Sequence, residues 1–431
     1  MKRQLTRSLG LLALSLSLLS MGARAQLKQG DFVAIAGDSI TEQKQYSVFI
    51  EDYLLMCKPQ ADLRVIQFGW SGEVAPGFLS KMPNEALKFP FTVATTAYGM
   101  NDGGYSPMDD AKAKRYRDAQ TAIVRRMKQD GVRFIVVGSP GAVDTDTFRR
   151  DPKDPDKAHE LAAMYNKTLA SLRDIARQVA QEQGVTFADV YDPMIQVMEK
   201  AKAKYGHDYA LCGGDGVHPD ANGHLVMAYA FLKGLGVDGD IGTITVDLSS
   251  GKADATEGHK VLKADNGSVE IESSRYPFCF YGDGKSTSST RSVLGFFPFN
   301  DELNRFRLVV KGAKQDHYQV TWGDQKKEFS GSDLEKGINL AAEFLDNPFS
   351  EPFKKVEGEI RRKQNYETPL IKEVLHGLPR YKEVAKQAAP DELASLDRVA
   401  QAGVKRDKAM GDEIAKSFQP VKHTIRIEPV K

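Results

Sequence analysis

Five short apolar runs, most of them set apart by amphipathic stretches, constrain the first half of this chain more than any other feature. The runs are Phe32–Ala36, Leu63–Phe68, Phe91–Ala97, Val132–Val137 and Val185–Val190. Each is strand-length and rich in β-branched or aromatic residues. The stretches Tyr46–Met56, Asp109–Gln129 and Lys157–Glu182 have helical spacing, and Gly223–Leu235 closes the unit as a helix. Strands separated by helices pair in parallel, with both faces of the sheet covered. Right-handed crossovers then give a three-layer α/β/α sandwich. This domain is expected to occupy residues 26–239.

The second half reads differently. Ile241–Leu248, His259–Ala264, Ser268–Glu272, Arg305–Val310 and Tyr318–Trp322 alternate polar and apolar residues at period two. That predicts an antiparallel sheet or sandwich over residues 240–431. A charged helical region, about 334–418, is expected as an insertion, and His423–Glu428 as a strand returning to the sheet. Trp322, Tyr276, Phe278, Phe280 and Tyr281 could form a glycan platform, although alternating aromatics more often fill a sheet core. The stretch Asn339–Phe349 is a candidate border to the active edge.

Residues 1–25 have the three parts of a secretory leader. Lys2, Arg3 and Arg7 precede the apolar run Leu9–Leu19, and Ala23-Arg24-Ala25 offers a cleavage site after Ala25. The expected location is therefore secreted or periplasmic. The leader holds four of the 59 Lys/Arg and no acidic residue, so 55 basic residues face 58 acidic ones, a net charge of −3. A near-neutral chain gives no sign of nucleic-acid binding. No later segment reads as a transmembrane span. Cys57, Cys212 and Cys279 allow at most one disulfide bridge. Cys212 reads as a small buried thiol.

The first apolar run ends in Gly37-Asp38-Ser39. Gly37 permits a sharp turn, and Ser39 then stands at the carboxyl end of a central strand, where open α/β sheets bind ligands. A serine hydroxyl needs a histidine to take its proton, and the histidine needs a carboxylate to fix its tautomer. Asp215-Gly216-Val217-His218-Pro219, before the last helix, supplies both. Oxyanion donors can come from Gly69-Trp70-Ser71-Gly72-Glu73 and from Gly99-Met100-Asn101-Asp102, the loops after the second and third strands. Each block alone is ordinary turn chemistry. Ser71 is a rival nucleophile, but a nucleophile elbow would need glycine where Glu73 stands. Asp38 reads as a turn-holding residue, His224 as a helix-face residue and His207 as surface. No His/Cys/Glu cluster has metal-ligand spacing, so no metal and no cofactor are expected.

In this order, Gly37-Asp38-Ser39, Ser71-Gly72-Glu73, Gly99-Met100-Asn101-Asp102 and Asp215-Gly216-Val217-His218-Pro219 resemble the four blocks of the SGNH (GDSL-type) hydrolase family. The resemblance spans about residues 31–235. It implies a flavodoxin-like sandwich with sheet order 2-1-3-4-5. It implies Ser39 as nucleophile, His218 as base and Asp215 as its orienter. It implies Ser39 N–H, Gly72 N–H and Asn101 Nδ2 as oxyanion donors.

The fold does not choose a substrate. A leader, aromatic residues in the active-edge loops (Trp70, Tyr98, Tyr105) and the family's carbohydrate esterases favour a short acyl ester, acetyl first, on a carbohydrate. Trp70 and Tyr98 are the candidate substrate-binding residues. The alternatives are a lipase or lysophospholipase of the same family and a non-catalytic glycan-binding protein.

Overall fold

The computed structural model describes residues 27–60, 62–148, 154–385 and 390–430. The leader expected over residues 1–25 lies outside them. The first half is built from β1 (Phe32–Gly37), α1 (Ser39–Glu42), α2 (Tyr46–Asp52), β2 (Arg64–Gly69), α3 (Ala75–Lys81), β3 (Val93–Ala97), α4 (Asp110–Gln129), β4 (Phe134–Gly138), α5 (Pro155–Glu182), β5 (Thr186–Ala188), α6 (Tyr191–Tyr205) and α7 (Ala221–Gly234). The strands form one parallel sheet in the order β2-β1-β3-β4-β5. Every residue of β1, β3 and β4 is buried, which is why these strands read as unbroken apolar runs. Two helices were not expected, α3 and α6. α3 carries Pro76 in its first turn, where the missing N–H costs no hydrogen bond.

The second half adds β6 (Asp240–Asp247), β7 (Lys252–Ala255), β8 (His259–Asp265), β9 (Ser268–Ser273), β10 (Arg305–Lys311), β11 (His317–Trp322), β12 (Gln325–Ser330), β13 (Ile338–Asn339) and β14 (Val421–Pro429). They form two sheets, β13-β10-β6-β7 and β12-β11-β14-β9-β8. The second is antiparallel throughout, and β14 enters it between β11 and β9, as a returning strand should. The first corrects the antiparallel expectation, because β10 runs parallel to β6. A parallel pair needs a long connection, and the chain between Asp247 and Arg305 supplies one.

The aromatic platform does not form. Trp322, Tyr276, Phe278 and Phe280 are buried, and Phe278 packs at 5.2 Å from Phe299, Phe280 and Phe353. The Asn339–Phe349 stretch joins the same core rather than the active edge: Phe344 and Phe349 each lie 5.9 Å from Trp322. The three cysteines are free and buried. Among the described residues no helix is long and apolar enough to cross a membrane.

The helical region between β13 and β14 packs back on the first sheet. Its helix Ser350–Pro369 lies along β2, the edge strand. Lys363 Nζ donates to Val65 O at 2.7 Å, and Glu367 Oε2 accepts from Gln67 N–H at 2.9 Å. Side chains thus complete backbone groups that an edge strand otherwise offers to water or to another chain. The buried charges are paired among themselves, Lys363 with Glu51 at 2.9 Å and with Glu367 at 2.6 Å. β2 is thereby held on both sides, and the loop it feeds starts from a fixed point.

Candidate active site

α1 begins one residue after β1 and lies almost on top of the strand ends. Gly37 and Gly69 are register partners at the ends of β1 and β2. A Cβ on Gly37 would stand 2.0 Å from Thr41 Oγ1, and one on Gly69 would stand 2.2 Å from the Glu42 nitrogen. Two glycines therefore let the first turn of α1 descend onto the sheet edge. Asp38 caps that turn, its Oδ1 accepting from Ile40 N–H at 3.0 Å. Burial pushes the Asp38 carboxyl up to about 7. Ser39, in the first turn, has an N–H with no acceptor inside the helix and a half-exposed side chain.

The loop before α7 brings His218 to it. Ser39 Oγ lies 2.8 Å from His218 Nε2, and His218 Nδ1 lies 2.7 Å from Asp215 Oδ2. Asp215 Oδ1 also accepts from Val217 N–H and His218 N–H, both at 2.9 Å. Burial alone would raise the Asp215 carboxyl, but the His218 ring and these two amides bring it down to about 2. An ionised Asp215 assigns the imidazole proton to Nδ1 and leaves Nε2 as the acceptor for the serine hydroxyl. The strand β4 loop supports this arrangement. Asp144 N–H donates to Gly216 O at 2.9 Å, and Thr147 Oγ1 donates to Gly213 O at 3.0 Å. Lys202 holds Asp144 and Asp146 together at 2.5 and 2.6 Å.

The other two loops meet each other at the same sheet edge, and the first of them is tied to α1 through Glu42. Trp70–Glu73 is a tight turn closed by Glu73 N–H to Trp70 O at 3.1 Å. Gly72 takes φ +74°, the left-handed value that glycine adopts freely at the third position of such a turn. Its N–H meets no acceptor among the described residues. Asn101 Nδ2 donates to Glu73 O at 3.0 Å, which ties the β3 loop to this turn and leaves its second N–H available. Asp102 is buried, and its Oδ1 accepts from Ala75 N–H at 3.0 Å; burial raises its carboxyl to about 6.

Ser71 is no rival. Its N–H and its hydroxyl both donate to Glu42 Oε2 at 2.5 Å. Cys212 is buried, with Sγ 3.2 Å from Ala142 O, and burial pushes its thiol up, away from reactivity. His224 is fully buried, its Nδ1 accepting from Tyr46 N–H and its Nε2 lying 3.0 Å from Gln43 Oε1. His207 is exposed and faces Asp146. Tyr98 does not face a ligand: it is fully buried and stacks on Phe78 at 5.3 Å, because the β3 loop turns inward there. Trp70 is at the rim but already has company. Lys81 Nζ is 3.5 Å from its ring centre, Lys372 Nζ 4.8 Å, and the His376 ring 4.9 Å. Glu42, Lys372 and His376 are residues of the site that sequence reading did not single out. Glu42 lies in the same stretch as Ser39, but Lys372 follows Glu42 by 330 positions, in a charged region with no motif. Among the described residues no group of three or more His, Cys, Asp or Glu is placed to hold a metal ion.

A parallel α/β sandwich with a serine, a histidine and a carboxylate in hydrogen-bond sequence at its carboxyl edge defines a class of hydrolases. Residues 35–226 match the sequence model of the GDSL-like Lipase/Acylhydrolase family. Residues 35–226 thus form a GDSL-like (SGNH) acylhydrolase domain, of the kind that hydrolyses carboxylic esters. Over nearly its whole length it is similar in fold to a gut microbial diltiazem-metabolizing enzyme, with 23% identity, 94% of this chain and 99% of that one covered, and a TM-score of 0.71. Two further solved structures match about half of it. A catalytic mutant of Axe2, an acetylxylan esterase from Geobacillus stearothermophilus, shows 20% identity over 49% of this chain and 97% of its own, with a TM-score of 0.38. LAE5, an α/β hydrolase from the metagenome of Lake Arreo, Spain, shows 20% identity over the same shares, with a TM-score of 0.39. No curated protein matches the sequence significantly.

Proposed function

We propose that Ser39 is the nucleophile of a serine esterase that removes short acyl groups, acetyl first, from carbohydrate. The observation that carries this reading is the unbroken chain Ser39–His218–Asp215 at 2.8 and 2.7 Å. In the first step Ser39 Oγ attacks the ester carbonyl while His218 Nε2 takes its proton. The Gly72 and Ser39 N–H groups and Asn101 Nδ2 face the carbonyl oxygen as it becomes negative, each donor contributing on the order of 3 kcal/mol. His218 returns the proton to the leaving alcohol. Water then attacks the acyl-enzyme, again with His218 as base, and acid and free Ser39 are released. Asp215 stays ionised throughout and stabilises the imidazolium.

The rim favours a small acyl group. Glu42, in the same short helix as Ser39, gathers Ser71 and Lys372 into a charged and polar cluster at this edge, where a long apolar chain would lose burial and strip water from charges. A leader at residues 1–25 would place the reaction outside the cytosol, where acetylated polysaccharides are met; a mature amino terminus at Gln26 is the outcome expected from N-terminal sequencing. The deciding experiment is a screen of acetylated polysaccharides and oligosaccharides for released acetate, with Ser39→Ala as control. A rate on p-nitrophenyl esters that rises from acetate to octanoate would favour a lipase instead. If neither form hydrolyses any ester, glycan binding without turnover becomes the better account.

A further inference from the structure

The turn that carries Gly72 is held from outside the acylhydrolase domain. Ser71 occupies the second position of that turn, and its N–H and hydroxyl converge on Glu42 Oε2. The other oxygen of the same carboxylate, Oε1, accepts from Lys372 Nζ at 2.6 Å. Lys372 belongs to the helical region between β13 and β14. There Pro369, with no N–H to give, ends the helix Ser350–Pro369, and Leu370–Leu375 continues as a π-wound turn. That turn delivers Lys372 to Glu42 on one side and to the face of Trp70 on the other. Neighbouring contacts fix the same junction. Lys44 Nζ donates to Glu42 O at 2.8 Å and to Thr368 Oγ1 at 3.4 Å, and His376 Nδ1 lies 2.6 Å from Glu85 Oε1.

We infer that Glu42 and Lys372 are positioning residues of the esterase reaction, acting in series through Ser71 to hold the Gly72 N–H where the oxyanion forms. The inference rests on the reading of Ser39 as nucleophile and Gly72 as donor. A one-glycine turn is soft, and a donor misplaced by about 1 Å can cost about a hundredfold in rate. Glu42 removes that softness by capturing the N–H next to the one that must stay free. A bare carboxylate so close would oppose a developing oxyanion, and Lys372 cancels its charge. Burial alone would raise the Glu42 carboxyl, but the bonds from Lys372 and Ser71 outweigh it and bring it below its usual value. The carboxylate therefore stays ionised and paired, and the second half of the chain takes part in catalysis without touching substrate.

The test is steady-state kinetics on p-nitrophenyl acetate with the full chain. Glu42→Ala is expected to lower kcat about ten- to a hundredfold with KM within about threefold, because only transition-state contact is lost. Glu42→Gln keeps an acceptor for Ser71 and should lose less than Glu42→Ala. Lys372→Met should lower kcat about five- to tenfold, and Lys372→Arg should restore it. The double variant Glu42→Ala/Lys372→Met should be no worse than Glu42→Ala alone, since Lys372 acts through Glu42. Unfolding midpoints are read alongside, so that any variant that fails to fold is replaced by Glu42→Gln and Lys372→Met. Unchanged kcat in folded Glu42→Ala, losses that multiply in the double variant, or a change confined to KM would overturn the inference. If Ser39→Ala retains activity, the nucleophile reading fails first. If Ser39→Ala is dead and Glu42→Ala is normal, the inference alone fails.

Discussion

Among the described residues, two serine–histidine hydrogen-bond chains have nearly equal geometry, one in each half. At the sheet edge, Ser39 Oγ is 2.8 Å from His218 Nε2. In the second half, Ser273 Oγ is 2.8 Å from His259 Nδ1 and 2.9 Å from His423 Nε2. The second chain has one consistent direction. Trp322 Nε1–H donates to His423 Nδ1 at 3.1 Å, so His423 donates from Nε2 to Ser273. Ser273 then donates to His259 Nδ1, and His259 Nε2–H donates to Ile241 O at 3.0 Å. This chain ends on a neutral carbonyl, and Ser273 is fully buried. The first ends on Asp215, an ionised carboxylate, and Ser39 is half-exposed. A serine–histidine contact alone is thus a packing device. What makes one reactive is a charge behind the ring and an open side for substrate.

Exchanging the serines is the sharpest way to break this contrast. Ser39→Ala is expected to cost about 10⁴- to 10⁶-fold in kcat on p-nitrophenyl acetate. Ser273→Ala should leave kcat within about twofold while lowering stability by about 2–4 kcal/mol in urea unfolding, because it strands one donor and one acceptor in the core. A large kcat loss in Ser273→Ala with an unchanged unfolding midpoint would erase the distinction.

Next in size is the carboxylate. Asp215→Asn keeps the shape but turns the amide's donor or acceptor toward His218 Nδ1 without a charge, and the wrong tautomer follows. A loss of up to about 10⁴-fold in kcat is expected, by analogy with other serine–histidine–aspartate sites. Activity should also persist well below neutrality only as far as His218 stays neutral, since Asp215, at about 2, remains ionised across the whole working range. An Asp215→Asn enzyme with near-normal kcat would show that exposure alone, not the charge, separates the two chains.

The same contrast explains what could be read from the sequence. The parallel sandwich was legible because each central strand is buried on both faces and so is written as a solid apolar run. Ser39, Gly72 and Asn101, in the loops after β1, β2 and β3, and Asp215 and His218, in the loop before α7, could be singled out because fold and chemistry constrain the same short stretches. The second half carries no such double constraint. The parallel pairing of β6 and β10 depends on a crossover whose course no local pattern fixes. Lys372 reaches Glu42 only because Pro369 and a π-wound turn redirect the chain, and neither leaves a periodic signature. Tyr98 was misread for a related reason. An aromatic at the start of an active-edge loop looks available, but Tyr116 Oη–H donates to Tyr98 O at 2.9 Å and the loop folds inward over the ring.

The smallest expected effects concern pH, and here the two halves have opposite signs. Burial holds His423 neutral in the fold, down to about 3, whereas an unfolded histidine takes a proton near 6.5. Between those values the unfolded chain binds more protons, so His423 makes stability fall as pH drops below 6.5. Asp38 behaves oppositely. Burial raises it to about 7 in the fold, against an unfolded value near 4, so the folded chain binds more protons between them and stability falls as pH rises toward 7. The two contributions mask each other in wild-type protein, and single variants separate them. His423→Gln keeps a donor and an acceptor for Ser273 and Trp322 but does not titrate, so its deficit relative to wild type should shrink from pH 7 to pH 5. Asp38→Asn keeps the cap on Ile40 N–H without a charge, so its stability relative to wild type should improve from pH 5 to pH 8. Each trend is expected to be on the order of 1 kcal/mol per pH unit within its window. Urea midpoints for the three proteins at pH 5, 6, 7 and 8 give the test. Parallel curves for wild type and His423→Gln would mean that the buried chain in the second half tolerates a proton, and the electrostatic difference between the two serine–histidine chains would then be smaller than their geometry implies.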